Sequence, residues 1–228
     1  MPKQALLFAS IVALAGAGVV AAACVSWPPL AIGPFLALAG LALLAATLKV
    51  RIPGVTGAIS PVAAPILLAA GTLGWQAAAL IAAASAMLQC VWRPKTRPSL
   101  LQVAFNLATM TLAAVLATQA ANFATPPGAF VWFIAAAIVF QAINVVLIST
   151  ILCLLGEGVS LQSLWRNCHM WSFPYQLAAG LFAGLWAQAG PLMAGSSMPL
   201  GAIALAAGVL YLMNGFYREI VDRSLSGA

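Results

Sequence analysis

Trp92-Arg-Pro-Lys-Thr-Arg-Pro-Ser-Leu-Leu-Gln-Val-Ala-Phe-Asn106 decides how the rest of this chain is read. Three cations, Arg93, Lys95 and Arg97, stand between and beside two prolines, Pro94 and Pro98. Long apolar runs flank the stretch on both sides. Charges this dense cannot lie in hydrocarbon, and in a membrane protein they favour the cytoplasmic face. The loop therefore sets the orientation of everything around it.

Composition agrees with that reading. The chain has 228 residues, of which 64% are hydrophobic and 5% charged, and its mean hydropathy is +1.08. A soluble domain carries about a quarter charged residues. The bilayer must therefore serve as solvent. The net charge of +6 is confined to short loops, as orientation signals are, so nucleic acid is set aside as a partner. Cys24, Cys90, Cys153 and Cys168 show no metal-ligand spacing, and no cofactor or metal site is expected.

The apolar segments follow in order. Residues 5–26 are long enough to cross a core of about 30 Å, and exceed a signal-peptide core, so they are read as a retained helix. Pro28-Pro29 turns the chain, residues 30–48 return, and Lys49 and Arg51 mark an inner loop. Residues 58–70 are apolar but short, and Pro61 and Pro65 disturb them. They predict an irregular hairpin arm, paired with residues 75–91 and lining any ligand site. Residues 100–119 and 130–155 are the next two spans. Leu161, Leu164, Trp165, Cys168 and Trp171 share one face, as in a short interfacial helix. Residues 173–188 and 198–216 complete the set.

The expectation is an all-α integral membrane protein of about eight hydrophobic segments, one of them the short Pro-disturbed hairpin arm, plus the interfacial helix. Residues 1–217 form one transmembrane domain and residues 218–228 a cytoplasmic tail. With an even number of crossings, all nine Lys and Arg residues and all three acids fall on the cytoplasmic side. Both termini are then inside.

No Asp, Glu, Lys, Arg or His falls within a span, which argues against proton relays, ion-coupled pumps, intramembrane proteolysis and enzymes generally. Polar side chains at depth are the candidate ligand or interhelical contacts. Gln102 and Asn106 lie at i, i+4, and Gln141 and Asn144 at i, i+3. Gly180 and Gly184 form a GxxxG pair, and Gly201, Gly208 and Gly215 recur every seven residues, both patterns suited to close helix packing.

The order Leu48-Lys-Val-Arg-Ile-Pro-Gly-Val-Thr-Gly57, Gln89-Cys-Val-Trp-Arg-Pro-Lys95, Phe105-Asn106, Asn144 and Trp171-Ser-Phe-Pro-Tyr175 resembles a known sensor region. It is similar to the N-terminal multi-helix, MASE-like membrane domain of bacterial diguanylate cyclases (GGDEF proteins) and HD-type phosphohydrolases. The resemblance implies an inner-membrane location and a non-enzymatic signalling role. Family members continue from the last span into a catalytic domain, whereas this chain stops at Ala228, so no cyclase or phosphodiesterase activity is expected of it. The fold is also similar to the S components of energy-coupling-factor transporters, which implies an alternative role as a vitamin-type uptake subunit. The candidate partners are the bilayer, a cytoplasmic signalling protein and a second copy of the chain.

Overall fold

The computed structural model describes residues 1–27, 32–51, 58–92, 94, 97–123, 128–156 and 170–193, together with residues 208, 211, 215 and 219. Of the interfacial helix expected over residues 161–171, residues 161–169 lie outside the described residues, as do Gly201 and nearly all of the tail, while Trp171 falls in the helix Met170–Met193.

Seven helices make up the described bundle. They are α1 (Lys3–Val25), α2 (Ile32–Thr47), α3 (Ala63–Thr72), α4 (Trp75–Val91), α5 (Leu100–Ala121), α6 (Ala129–Leu155) and α7 (Met170–Met193). Residues 208, 211, 215 and 219 are also helical. Among the described residues, three helices are long and apolar enough to cross a membrane: Lys3–Val25, Leu100–Ala121 and Phe130–Leu155. Their length and composition fit a membrane protein.

Two features depart from the sequence expectation. The loop after α2 contains a small antiparallel ribbon, β1 (Val50–Arg51) with β2 (Ala58–Ile59), in which Val50 pairs with Ile59 and Arg51 with Ala58. And the arm expected to be irregular over residues 58–70 is so only in its first part: residues 58–59 join the ribbon and Pro61 lies in a turn, while residues 63–72 form the regular, buried helix α3. Pro65 is its third residue. A proline in the first turn gives up an N–H that has no intrahelical partner anyway, so the helix loses nothing. At about 1.5 Å per residue, ten residues span about half the hydrocarbon core. Leu73 and Gly74 then reverse the chain into α4, and Gly74 takes φ 88° with ψ 177°, a conformation that only glycine adopts readily.

The short helix is the hub. Every residue from Ala63 to Ala70 is buried, and α3 packs on α2, α4, α5, α6 and α7. The core around it joins Leu38, Ile66, Leu67, Ile81, Phe133 and Phe140 across a background of alanines. A second, smaller cluster of Ala9, Val12, Phe105 and Ala108 attaches α1 to α5. There α1 comes close enough that a Cβ on Gly16 would fall on Ala108. Small residues allow such approaches, which is how helices gain packing energy in lipid, where burial alone gives little.

The two ends of the bundle differ chemically. Near the end where α1 finishes and α2 begins, Trp27 meets Phe35 edge-on at 5.1 Å, and at the α5–α6 turn Phe123 lies 5.2 Å from Trp132. Gln76 of α4 donates to Ser26 O there. Aromatic rings of this kind collect at headgroup level. At the other end lie Lys3, Lys49, Arg51 and Arg97, the described cations.

Candidate functional site

The cationic end is also where distant polar segments meet. Lys49 follows α2, and its Nζ donates to Gln89 O at 2.5 Å and to Trp92 O at 2.6 Å. Those carbonyls belong to the last turn of α4, where backbone acceptors lack helical partners and the helix dipole favours a positive charge. The ammonium group therefore caps α4 from forty residues away. Gln89 turns its own amide to Ser60, just after β2, with Nε2 donating to Oγ at 2.6 Å. Lys49, Ser60 and Gln89 together fasten the ribbon onto the end of α4.

The next layer comes from α5. Asn106 Nδ2 donates to the Sγ of Cys90 at 3.6 Å, a weak bond to a soft acceptor that joins α5 to α4. Cys90 is buried and free, whereas Cys24 and Cys153 are exposed and free. Gln102 does not join Asn106 in this contact. Its Oε1 accepts from the Ser99 backbone N–H at 2.8 Å, while Ser99 Oγ accepts from the Gln102 N–H at 3.3 Å. This capping box satisfies donors at the start of α5. Gln102 shares an exposed face of α5 with Asn106, as expected, but its side chain closes the capping box at Ser99.

The second predicted pair also separates. Gln141 is buried, and its Nε2 donates to Ser172 Oγ at 2.6 Å, a link between α6 and α7. Asn144 Nδ2 instead donates to Phe140 O of its own helix at 2.9 Å. The four polar residues therefore do not converge on one pocket. Asn106 joins the α4 end, Gln141 ties two helices, Gln102 caps α5 and Asn144 bonds along α6.

The glycines divide in the same way. A Cβ on Gly180 would come within 2.7 Å of Phe133 O and Ala137 Cβ, and one on Gly184 within 2.5 Å of Phe130 Cα. Both sit hard against α6. Gly208 and Gly215 are exposed, and a Cβ at either meets nothing within 4 Å among the described residues. The groove expected along Gly208 and Gly215 is not filled within the described chain.

Among the described residues no group of His, Cys, Asp and Glu could hold a metal ion. Cys168 lies outside them. Sequence reasoning missed Lys49, Ser60 and Gln89. Their signal is tertiary, because nothing in the local sequence tells that a lysine after one helix will cap another. No protein-family model, curated protein or solved structure matches this chain.

Proposed function

We propose that this chain is a non-enzymatic sensory or signalling module of a bacterial inner membrane, which passes a conformational state of its bundle to a cytoplasmic partner through its last helix. One observation carries the reading. Motif segments that gave the resemblance to MASE-like sensor domains are joined by hydrogen bonds at one end of the bundle. Lys49 of the first segment bonds Gln89 and Trp92 of the second, and Asn106 of the third bonds Cys90 of the second. Polar bonds that tie three segments at one end give a place where movement of one helix can reach the others. The same reading gives the chain about eight hydrophobic segments, one of them the short α3 arm, in an arrangement like that of transporter S components, with both termini in the cytoplasm.

Orientation is tested by fusing a reporter active only outside the cytoplasm at Asn122 and at Ser224. Activity at Asn122 and none at Ser224 is expected; the reverse pattern refutes the topology. Signalling is tested by joining Ala228 to a diguanylate cyclase catalytic domain and measuring cyclic dinucleotide in cells. Lys49→Met and Asn106→Ala should each change output severalfold at equal protein level. Output identical to that of the unsubstituted fusion in both variants would sink the proposal.

A further inference from the structure

We propose that an ordered water molecule binds inside the bundle at the first turn of α3, held by the N–H groups of Ala63 and Ala64 and by the hydroxyl of Ser85. The start of this helix is enclosed: Ser60, Pro61, Val62, Ala63 and Ala64 are all buried. Its N-cap residue is Val62, which makes no side-chain cap. Pro65 has no N–H to give, and that of Ile66 donates to Val62 O at 3.3 Å. The N–H groups of Ala63 and Ala64 thus stand at a buried helix start, with no intrahelical carbonyl to accept from them. Donors in that position are costly unless another group takes the bond.

Ser85 supplies the facing half of the site. It is 0% exposed, and its Oγ has no hydrogen-bond partner among the described residues. Other hydroxyls in these helices turn back on their own backbone: Thr72 donates to Leu68 O, Thr118 to Ala114 O and Thr150 to Val146 O. Ser85 makes no such bond. Two counts place it level with the start of α3. Ser85 lies ten residues after Trp75, and Val62 lies ten before Thr72, across the turn at Leu73 and Gly74. Ser85 is also one helical turn from Gln89, whose amide bonds Ser60, itself one turn before Ala64. Both counts set Ser85 opposite residues 62–64. It shares that face of α4 with Gln89 and Ile81 at i, i+4 spacing, and Ile81 belongs to the same core cluster as Ala63 and Ala64. Two amide donors and one hydroxyl make three partners, the usual complement of a buried water. The water accepts from the amides and donates to Ser85 Oγ. This inference does not depend on the signalling role.

The test uses the full chain in phosphatidylcholine bilayers, with transfer of water magnetisation to each amide read by proton-detected solid-state NMR. Ala63 and Ala64 should receive it, whereas Leu67 and Leu68, further along the same buried helix, should not. In detergent, Ser85→Ala should lower Tm by about 2–4 °C, because the water loses a partner. Val62→Ser gives the helix a cap of its own and should restore most of that loss in the double variant. Absence of transfer at both alanines in the unsubstituted protein overturns the proposal, whatever the variants do. A rise in Tm for Ser85→Ala also overturns it, since that is the result for a hydroxyl buried dry. An anion at the same donors would show as a Tm that is higher in chloride than in gluconate, an effect lost in Ser85→Ala, and that outcome too rejects water as the occupant.

Discussion

Helices α1 and α3 are both apolar all round, yet they occupy opposite places. α1 has 23 residues and buries Ala5, Ala9, Val12, Gly16 and Ala23, a single narrow stripe. α3 has ten residues and buries every one from Ala63 to Ala70. Leu14 of α1 is 73% exposed while Leu67 of α3 is fully buried. In water such a difference would show as polarity. In lipid it does not, because the outside is as apolar as the inside. The position of a helix follows from its length and from where small residues let neighbours approach. α3 cannot reach across the bilayer, and five longer helices surround it.

The largest expected effect comes from truncation on the two sides of that contrast. Leu67→Ala should cost about 2–5 kcal/mol through lost packing and a cavity, whereas Leu14→Ala should stay within about 0.5 kcal/mol. Thermal unfolding in detergent compares them, and equal losses would break the distinction between hub and periphery.

Next comes the contact that holds α1 on. Gly16→Leu should destabilise by about 1–3 kcal/mol because the side chain has no room against Ala108. Gly18→Leu, two residues on with nothing within 4 Å, should be neutral. If both are tolerated, α1 is not seated on α5 at Ala108.

A smaller effect is expected at α5, which touches both α1 and α3. Ser99→Ala removes the capping box and should cost about 1 kcal/mol. Hydrogen exchange should accelerate in the first turn of α5 while α3 stays protected. Acceleration spread evenly over both would show that α3 has no separate stability.

The smallest concerns the polar tie between α6 and α7. Gln141→Leu should cost about 0.6 kcal/mol, the average for interhelical hydrogen bonds in membranes. Asn144→Leu, whose amide bonds within its own helix, should cost less. A larger loss at Asn144 would reverse the assignment of the two residues.

These contrasts also explain what could be read in advance. The limits of α5 and α6 were legible because chemistry punctuates them: Pro98-Ser99 opens one, and Gly156, at φ 74°, closes the other. The regularity of α3 was not legible from two prolines in thirteen residues, since the effect of Pro65 depends on which turn it occupies. The ribbon β1–β2 has two residues per strand, too few for an alternating pattern. The capping role of Gln102 was legible too: Ser99-Leu-Leu-Gln102 has the spacing of a capping box, a local signal that stands beside the helical face shared with Asn106. The Lys49 junction depends on the third dimension, so no inspection of neighbouring residues finds it.

The alanine background of the core sets the direction in which this chain can drift. Ala42, Ala46, Ala63, Ala69, Ala77 and Ala82 are wholly enclosed, and each has only one methyl group to lose. Trimming such a site removes little, whereas enlarging it forces two backbones apart. Most harmful substitutions in this protein should therefore add atoms, the reverse of the pattern in a water-soluble core built from leucine and phenylalanine. Serine should be tolerated at most of these enclosed alanines, whereas glycine there should cost about 1 kcal/mol of helix propensity. A saturation library selected for folded protein would read this bias as side-chain volume limits at the enclosed sites, with free variation in size along the outer face of α1.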